Sequence, residues 1–262
     1  MDLGIRGRKA LVNGGSAGMG KAAAFALARE GVDLVISARN EPRLVATAQE
    51  IAAATGVSVL PVCADHSDPA GRARILGACP APDILVSTCS PPPMTEHYRS
   101  IDDAQWRAGL DTGLLGPVHF INAVLDGMIE RRWGRIVNIA SIAAKYPLEL
   151  RILSGAPRAA LINYAGAVAL RVARHGVTIN NVLPGMFHTA FVTDQFGQRA
   201  AASGTTYEDE VARFVEAYHI AARRFGDPQD VGTLVAWLCS QFAGYITGQS
   251  IVIDGGATRS TF

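Results

Sequence analysis

The chain has 262 residues, 49% of them hydrophobic and 18% charged, with a formal net charge of +1. That balance supplies a large core and excludes an intrinsically disordered chain, and the length suits one α/β domain spanning 1–262. A near-neutral chain has little to attract a polyanion, so the expected partner is a small molecule, with no nucleic acid and no membrane.

In chain order, short β-branched runs alternate with Ala- and Leu-rich stretches. Residues 9–13 (KALVN) read as a strand; a glycine cluster follows, then helical periodicity over 19–30. Strands are expected at 33–38, 57–63 and 83–87, with a helix over 43–54. A long helix, 103–132, leads to a strand at 135–140; a helix over 155–174 leads to strands at 177–182 and 250–253. Such alternation implies right-handed crossovers and a seven-stranded parallel sheet with helices on both faces, a doubly wound Rossmann-type fold. Residues 186–224 break the rhythm and form a long connection of the kind that serves as a substrate lid.

Cysteines 63, 79, 89 and 239 have neither C-x-x-C nor metal-ligand spacing, so reduced thiols, no metal and a cytoplasmic setting are expected. The first nine residues lack the apolar stretch of a signal peptide, and no run approaches the roughly 18 apolar residues of a membrane span.

The first strand ends in Asn13-Gly14-Gly15-Ser16-Ala17-Gly18-Met19-Gly20. A strand, a glycine-rich turn and a helix bring backbone N–H groups up to a phosphate, an approach that only glycine tolerates. The spacing is G-x-x-x-G-x-G. With it come Asp65 after the third strand, WGRIVNIAS at 133–141, VTINNVLPG at 177–185 and GYITGQSIVIDGG at 244–256. On these motifs, which cover almost the whole chain, the sequence resembles the short-chain dehydrogenase/reductase (SDR) family.

That resemblance implies a nicotinamide dinucleotide held by Gly14, Ser16, Gly18, Met19 and Gly20, with Asp65 at the adenine. Pro184, Gly185 and Thr189 match the family's P-G-x-x-x-T, whose hydroxyl meets the nicotinamide carboxamide. At the end of the second strand Ser37-Ala38-Arg39-Asn40 offers no carboxylate for a ribose 2′-OH. Arg39 can instead pair with a 2′-phosphate, so NADP(H) is the expected cofactor.

The family's catalytic pattern is altered. Ser141 matches its Ser, but its Tyr falls on Ser154, its Lys on Arg158 and the Asn of its long helix on Gly113. Its N-N-A-G turn has become Ser87-Thr88-Cys89-Ser90. A serine hydroxyl reaches roughly 4 Å less far than a phenol and is a weaker acid. Arg158 can bond ribose hydroxyls but relays no proton. Tyr146, beside Lys145, and His188, beside Thr189, are candidate substitutes for the missing acid; a loop anchor and a surface histidine are the alternatives. Tyr164 is expected to serve packing.

The first expectation is an NADP(H)-dependent oxidoreductase acting on a small carbonyl or alcohol with a non-standard proton donor. A cyclase, lyase or isomerase on the same scaffold is the second, and a nucleotide-binding non-catalytic protein the third. Pro91, Pro92, Pro93 and Tyr98 are candidates for one pocket wall, and Phe187, Phe191, Phe196 and Phe214 suggest an apolar ligand. The small residues of 155–173, with the resemblance, suggest a homo-oligomer, a tetramer or dimer.

Overall fold

A computed structural model describes residues 2–259. Seven strands form one parallel sheet: β1 Lys9–Asn13, β2 Asp33–Ala38, β3 Val59–Cys63, β4 Ile84–Ser87, β5 Gly134–Ile139, β6 Val177–Pro184 and β7 Ser250–Ile253. Their order is β3-β2-β1-β4-β5-β6-β7. The direction in which strands are added therefore reverses between β1 and β4, and a crevice opens there beyond the strand ends, the place where such sheets take ligands.

Alternate residues of each strand enter opposite cores. Val12 packs with Ala23, Leu27, Leu44 and Val235 on the face covered by α1 (Gly18–Arg29), α2 (Glu41–Thr55) and α9 (Pro228–Leu238). Leu11 packs with Ile75, Phe120, Val124 and Leu161 on the other face, under α3 (Pro69–Ala78), α5 (Gly116–Glu130) and α6 (Ile152–Val172). Both faces are thus covered, as the continuous apolar strands require.

The long helix expected from the sequence is present but divided. It runs as α4 (Asp103–Leu110), a widened π-helical turn at Asp111–Leu115, then α5. The whole stretch, Asp103–Glu130, is 28 residues long and apolar enough to pass for a membrane span. Its apolar side lies on the sheet, where Phe120, Ile121 and Met128 are fully buried, so its hydropathy is that of a core helix. α3 and α9, absent from the sequence expectation, both start with an aspartate cap followed by proline: Asp68-Pro69 and Asp227-Pro228.

Within 186–224 the chain forms α7 (Ala190–Ser203) and α8 (Tyr207–Ala217). These helices share a small core of their own, in which Phe196, Phe214 and Phe225 meet edge to face. Phe187 and Phe196 are 3% and 1% exposed and taken up by packing, whereas Phe191 stays 46% exposed. Two of the four aromatic side chains behind the expectation of an apolar ligand are therefore core residues.

Candidate active site

The glycine loop is built on steric necessity. Gly14 has φ +77°, and a Cβ on it would lie 2.6 Å from the Thr88 carbonyl oxygen; one on Gly20 would lie 2.2 Å from the Gly14 oxygen. The N–H groups of Gly14 and Gly15 both donate to Ser37 O, which ties the loop to β2. Thr47 Oγ1 donates to Ser16 O at 3.1 Å and fixes the buried Ser16 carbonyl against α2. Asn40, Asp68, Asp102, Thr189, Thr206 and Asp227 cap α2, α3, α4, α7, α8 and α9; no side chain caps α1, nor α5, which continues the π-helical turn, nor α6, and of these three α1 is the one that opens from a glycine turn. The first N–H groups of α1, from Gly18, Met19 and Gly20, are left for an anion to satisfy. Thr189 roofs this turn, with its methyl carbon 3.3 Å from where a Gly18 Cβ would stand. It is carried there by Pro184, the last residue of β6, and by Gly185, whose N–H donates to Ile253 O at 2.9 Å.

At the end of β2, Arg39 is 69% exposed at its side chain and stands 3.7 Å from Asp65 Oδ2. Burial opposes the charge on Asp65, but hydrogen bonds from the Ser67 N–H and hydroxyl and the charge of Arg39 outweigh it. The carboxyl is held below its ordinary range. The next residue, His66, packs on Gly116 and is bonded to the Thr112 backbone, linking this end of the cleft to the π-helical turn.

The floor of the crevice is polar. Ser37, Asn13, Ser87, Asn138, Asn181 and Ser250 are register neighbours across β2, β1, β4, β5, β6 and β7. Ser37 Oγ donates to Asn13 Oδ1 at 2.8 Å, and Asn138 Nδ2 to Asn181 Oδ1 at 3.0 Å. Between these pairs Asn13 Nδ2, Ser87 Oγ and Asn138 Oδ1 are buried with no partner.

Above that floor, Ser141 follows β5 and caps a short 3-10 turn, accepting from Ala143 N at 3.2 Å. Gly155 lets α6 press on this turn, since a Cβ there would lie 2.7 Å from the Ala143 oxygen. Ser154 and Arg158, each 4% exposed, are one turn apart on α6. Arg158 Nη1 donates to Ser154 Oγ at 3.0 Å and to Ser154 O at 3.2 Å, and Nη2 points at Cys89 Sγ, 2.8 Å away. Gly113, inside the π-helical turn, makes this arrangement fit: a Cβ there would sit 2.9 Å from Pro157 Cβ and 3.9 Å from Arg158 Nη1. Widened turns of this kind often occur where a site needs room.

The remaining candidates divide. Tyr146 stands half-buried in the loop after Ser141, its N–H bonded to Ile142 O and Lys145 Nζ 5.6 Å from its ring centre. Tyr164 donates to Asn122 Oδ1 and joins α6 to α5 on their exposed side, the packing role expected of it. His188 Nδ1 is 2.7 Å from Tyr207 OH, with its ring against Phe225. It lines a cleft of about 370 Å³ with Gly18, Lys21, Glu50, Thr189 and Gln229, beside α1 and the start of α9; Ser154 is not part of that lining. Of the proposed pocket wall, the stretch after the three prolines is tied to the substrate side through Thr95 N–H, which donates to Leu150 O; Tyr98 is 61% exposed. Cys89 and Arg151 were not singled out by the sequence as site residues.

Residues 14–258 match the model of a family described as enoyl-(acyl carrier protein) reductase. The chain is 29% identical over the full length of both proteins to the uncharacterized oxidoreductase YvaG of Bacillus subtilis. It is also 29% identical to the 3-oxoacyl-[acyl-carrier-protein] reductase FabG of Vibrio harveyi, over 97% of this chain and 98% of that one. The fold superposes with a TM-score of 0.93 on L-sorbose reductase from Gluconobacter frateurii, solved with NADPH and L-sorbose, at 27% identity over 99% of this chain and 100% of that one. Sheet order, glycine turn and full-length similarity agree: the chain belongs to the short-chain dehydrogenase/reductase family of NAD(P)-dependent oxidoreductases.

Proposed function

We propose that the protein is an NADP(H)-dependent oxidoreductase that interconverts a small carbonyl compound and its alcohol through an altered catalytic set. The observation that carries this reading is the uncapped, glycine-cleared start of α1, with Arg39 exposed at the end of β2 and no carboxylate beside it on that strand. Gly14, Ser16, Gly18, Met19 and Gly20 would hold the pyrophosphate, Arg39 the 2′-phosphate and Asp65 the adenine side, while Pro184, Gly185 and Thr189 border the nicotinamide. NADPH, when bound, supplies the hydride, and the protein's part is to position and polarise the carbonyl.

Polarisation falls to Ser141 and Ser154. Ser154 Oγ accepts from Arg158, so its own proton is free to point at a substrate oxygen. The fixed charge of Arg158 beside that hydroxyl stabilises negative charge developing on the oxygen. Arg158 keeps its protons, so the proton added to the product comes from water through the Ser141 or Ser154 hydroxyl, or from Tyr146 in the adjoining loop. Residues 186–224 act as the lid, and α5 with α6 forms the surface for self-association, where Leu170 is 80% exposed.

A non-redox reaction on the same scaffold is the second reading. It is favoured by the bonds that commit Arg158 to Ser154 and Cys89 and leave less of the guanidinium for a ribose. Fluorescence titration with NADPH and NADH tests the first. NADPH should bind at least tenfold more tightly, and Arg39→Ala should erase about tenfold of that preference, the scale of one charge-assisted contact at an exposed site. A carbonyl panel followed by NADPH absorbance then separates the readings. Tight binding with no oxidation by any carbonyl favours the second; failure of both nucleotides to bind removes the first.

A further inference from the structure

Three arginines lie near one another around the start of α6, where Arg151 feels the charges of Arg199 and Arg158. Arg151 immediately precedes α6, Arg158 lies on it and Arg199 lies on α7. Ser154 and Arg158 stand one turn apart on α6, and Arg151, the residue at its non-α-helical start, lies three residues before Ser154. Arg151 Nη1 is shut off from solvent and has no hydrogen-bond partner. Among the described residues none of the three arginines enters a salt bridge. Burial, then the charges of Arg199 and Arg158, make the protonated form of Arg151 harder to hold, and only the Tyr218 phenol works the other way. Arg199 is exposed on α7, its guanidinium 5.0 Å from the Phe196 ring centre, and so sits at the rim.

A guanidinium nitrogen buried with its donors unused costs free energy unless something pairs with it. Arginine's planar fork is shaped for a carboxylate, which it can bind through two parallel bonds. We propose that Arg151 is the substrate's carboxylate clamp: the protein acts on a short oxo acid, or the matching hydroxy acid, with the acid group on Arg151 and the carbonyl at Ser154. Arg199 completes the clamp from α7. Only three residues along the chain separate Arg151 from Ser154 at the start of α6, which keeps acid and carbonyl close together in the substrate. This assignment rests on the oxidoreductase reading for the fate of the carbonyl, but not for the binding of the acid.

The test is calorimetric titration of the protein, with and without NADPH, using benzoylformate, 4-oxopentanoate, the methyl ester of each, and inorganic phosphate. At least one acid should bind at least tenfold more tightly than its ester and more tightly than phosphate. Arg151→Gln should erase the preference and Arg151→Lys, which keeps the charge but loses the fork, should retain part of it. Urea unfolding supplies the second readout. Because Arg151 Nη1 makes no bond in the folded chain, Arg151→Gln should leave stability unchanged or raised, whereas a structural arginine would lower it. Equal binding of acid and ester, preference for phosphate, failure of every acid to bind, or an acid preference that survives in Arg151→Gln would each overturn the clamp. Failure of NADPH alone would instead overturn the oxidoreductase reading, since acid binding is measured on the free protein as well.

Discussion

The two halves of the crevice are made in different ways. On the side of β1, β2 and β3, the site is mostly backbone: glycines whose missing Cβ atoms leave room, N–H groups of an uncapped helix, and a carbonyl from Ser37 holding the turn. On the side of β4, β5 and β6, the site is mostly side chain, and its parts fit one another. Gly113 gives space to Pro157 and Arg158, Gly155 gives space to the Ser141 turn, and Arg158 spans Ser154 and Cys89. Gly113, Ser154 and Arg158 thus interlock with one another. The backbone half tolerates few substitutions because its constraint is steric, while the side-chain half can be exchanged as a set.

That contrast can be broken first at Gly20. Gly20→Ala puts a methyl 2.2 Å from the Gly14 oxygen, a backbone atom that cannot swing aside. The expected outcome is a loss of about 3 kcal/mol of stability in urea unfolding, at the upper end for overpacking, and NADPH binding weakened beyond measurement. On the other side, Gly113→Ala meets Pro157 Cβ at 2.9 Å, and α6 can give a little. A loss of about 1–2 kcal/mol is expected there, with the NADPH dissociation constant within roughly twofold of wild type. Turnover should fall more than affinity, because Arg158 moves with Pro157. If Gly113→Ala weakened the nucleotide as much as Gly20→Ala, the two halves would not be separable.

How far the sequence could be read follows the same division. The seven strands, their parallel sheet and the glycine turn were legible, because short β-branched runs between helical stretches and glycine spacing report directly on backbone needs, whereas the strand order was not. α3 escaped notice because only Gly71 and Ile75 of it are buried, too few to make a pattern. α9 carries a usable signal, Asp227-Pro228 before an apolar run. Ser154 and Arg158 were legible as departures from a family pattern. Their pairing with Cys89 was not, because the partners are 69 residues apart and meet only through the crossover from β4 to α6. Arg151 is one arginine among many in the sequence; only its buried, unbonded Nη1 sets it apart.

The smallest expected effect sits at His66, where the two halves touch. Its pKa is held below the ordinary 6.5, chiefly because burial disfavours the imidazolium, with Arg39 and Arg72 acting the same way and Asp65 and the Thr112 backbone bond against them. The unfolded chain therefore binds this proton more readily than the folded one. Stability is fully present above the unfolded value, near pH 6.5, and is lost as pH falls through the lower folded value. Asp65 and its hydrogen bonds begin to fail only below about 3.8, outside that window. Urea midpoints should fall between pH 7.5 and 5.5 in the wild type and fall less in His66→Gln, which can keep a bond to Thr112 but takes no proton. Protonation would put a charge between the Asp65 loop and the π-helical turn, so NADPH affinity and turnover should both decline over the same range. An equal slope in the variant would mean that the halves meet at His66 without being coupled through it.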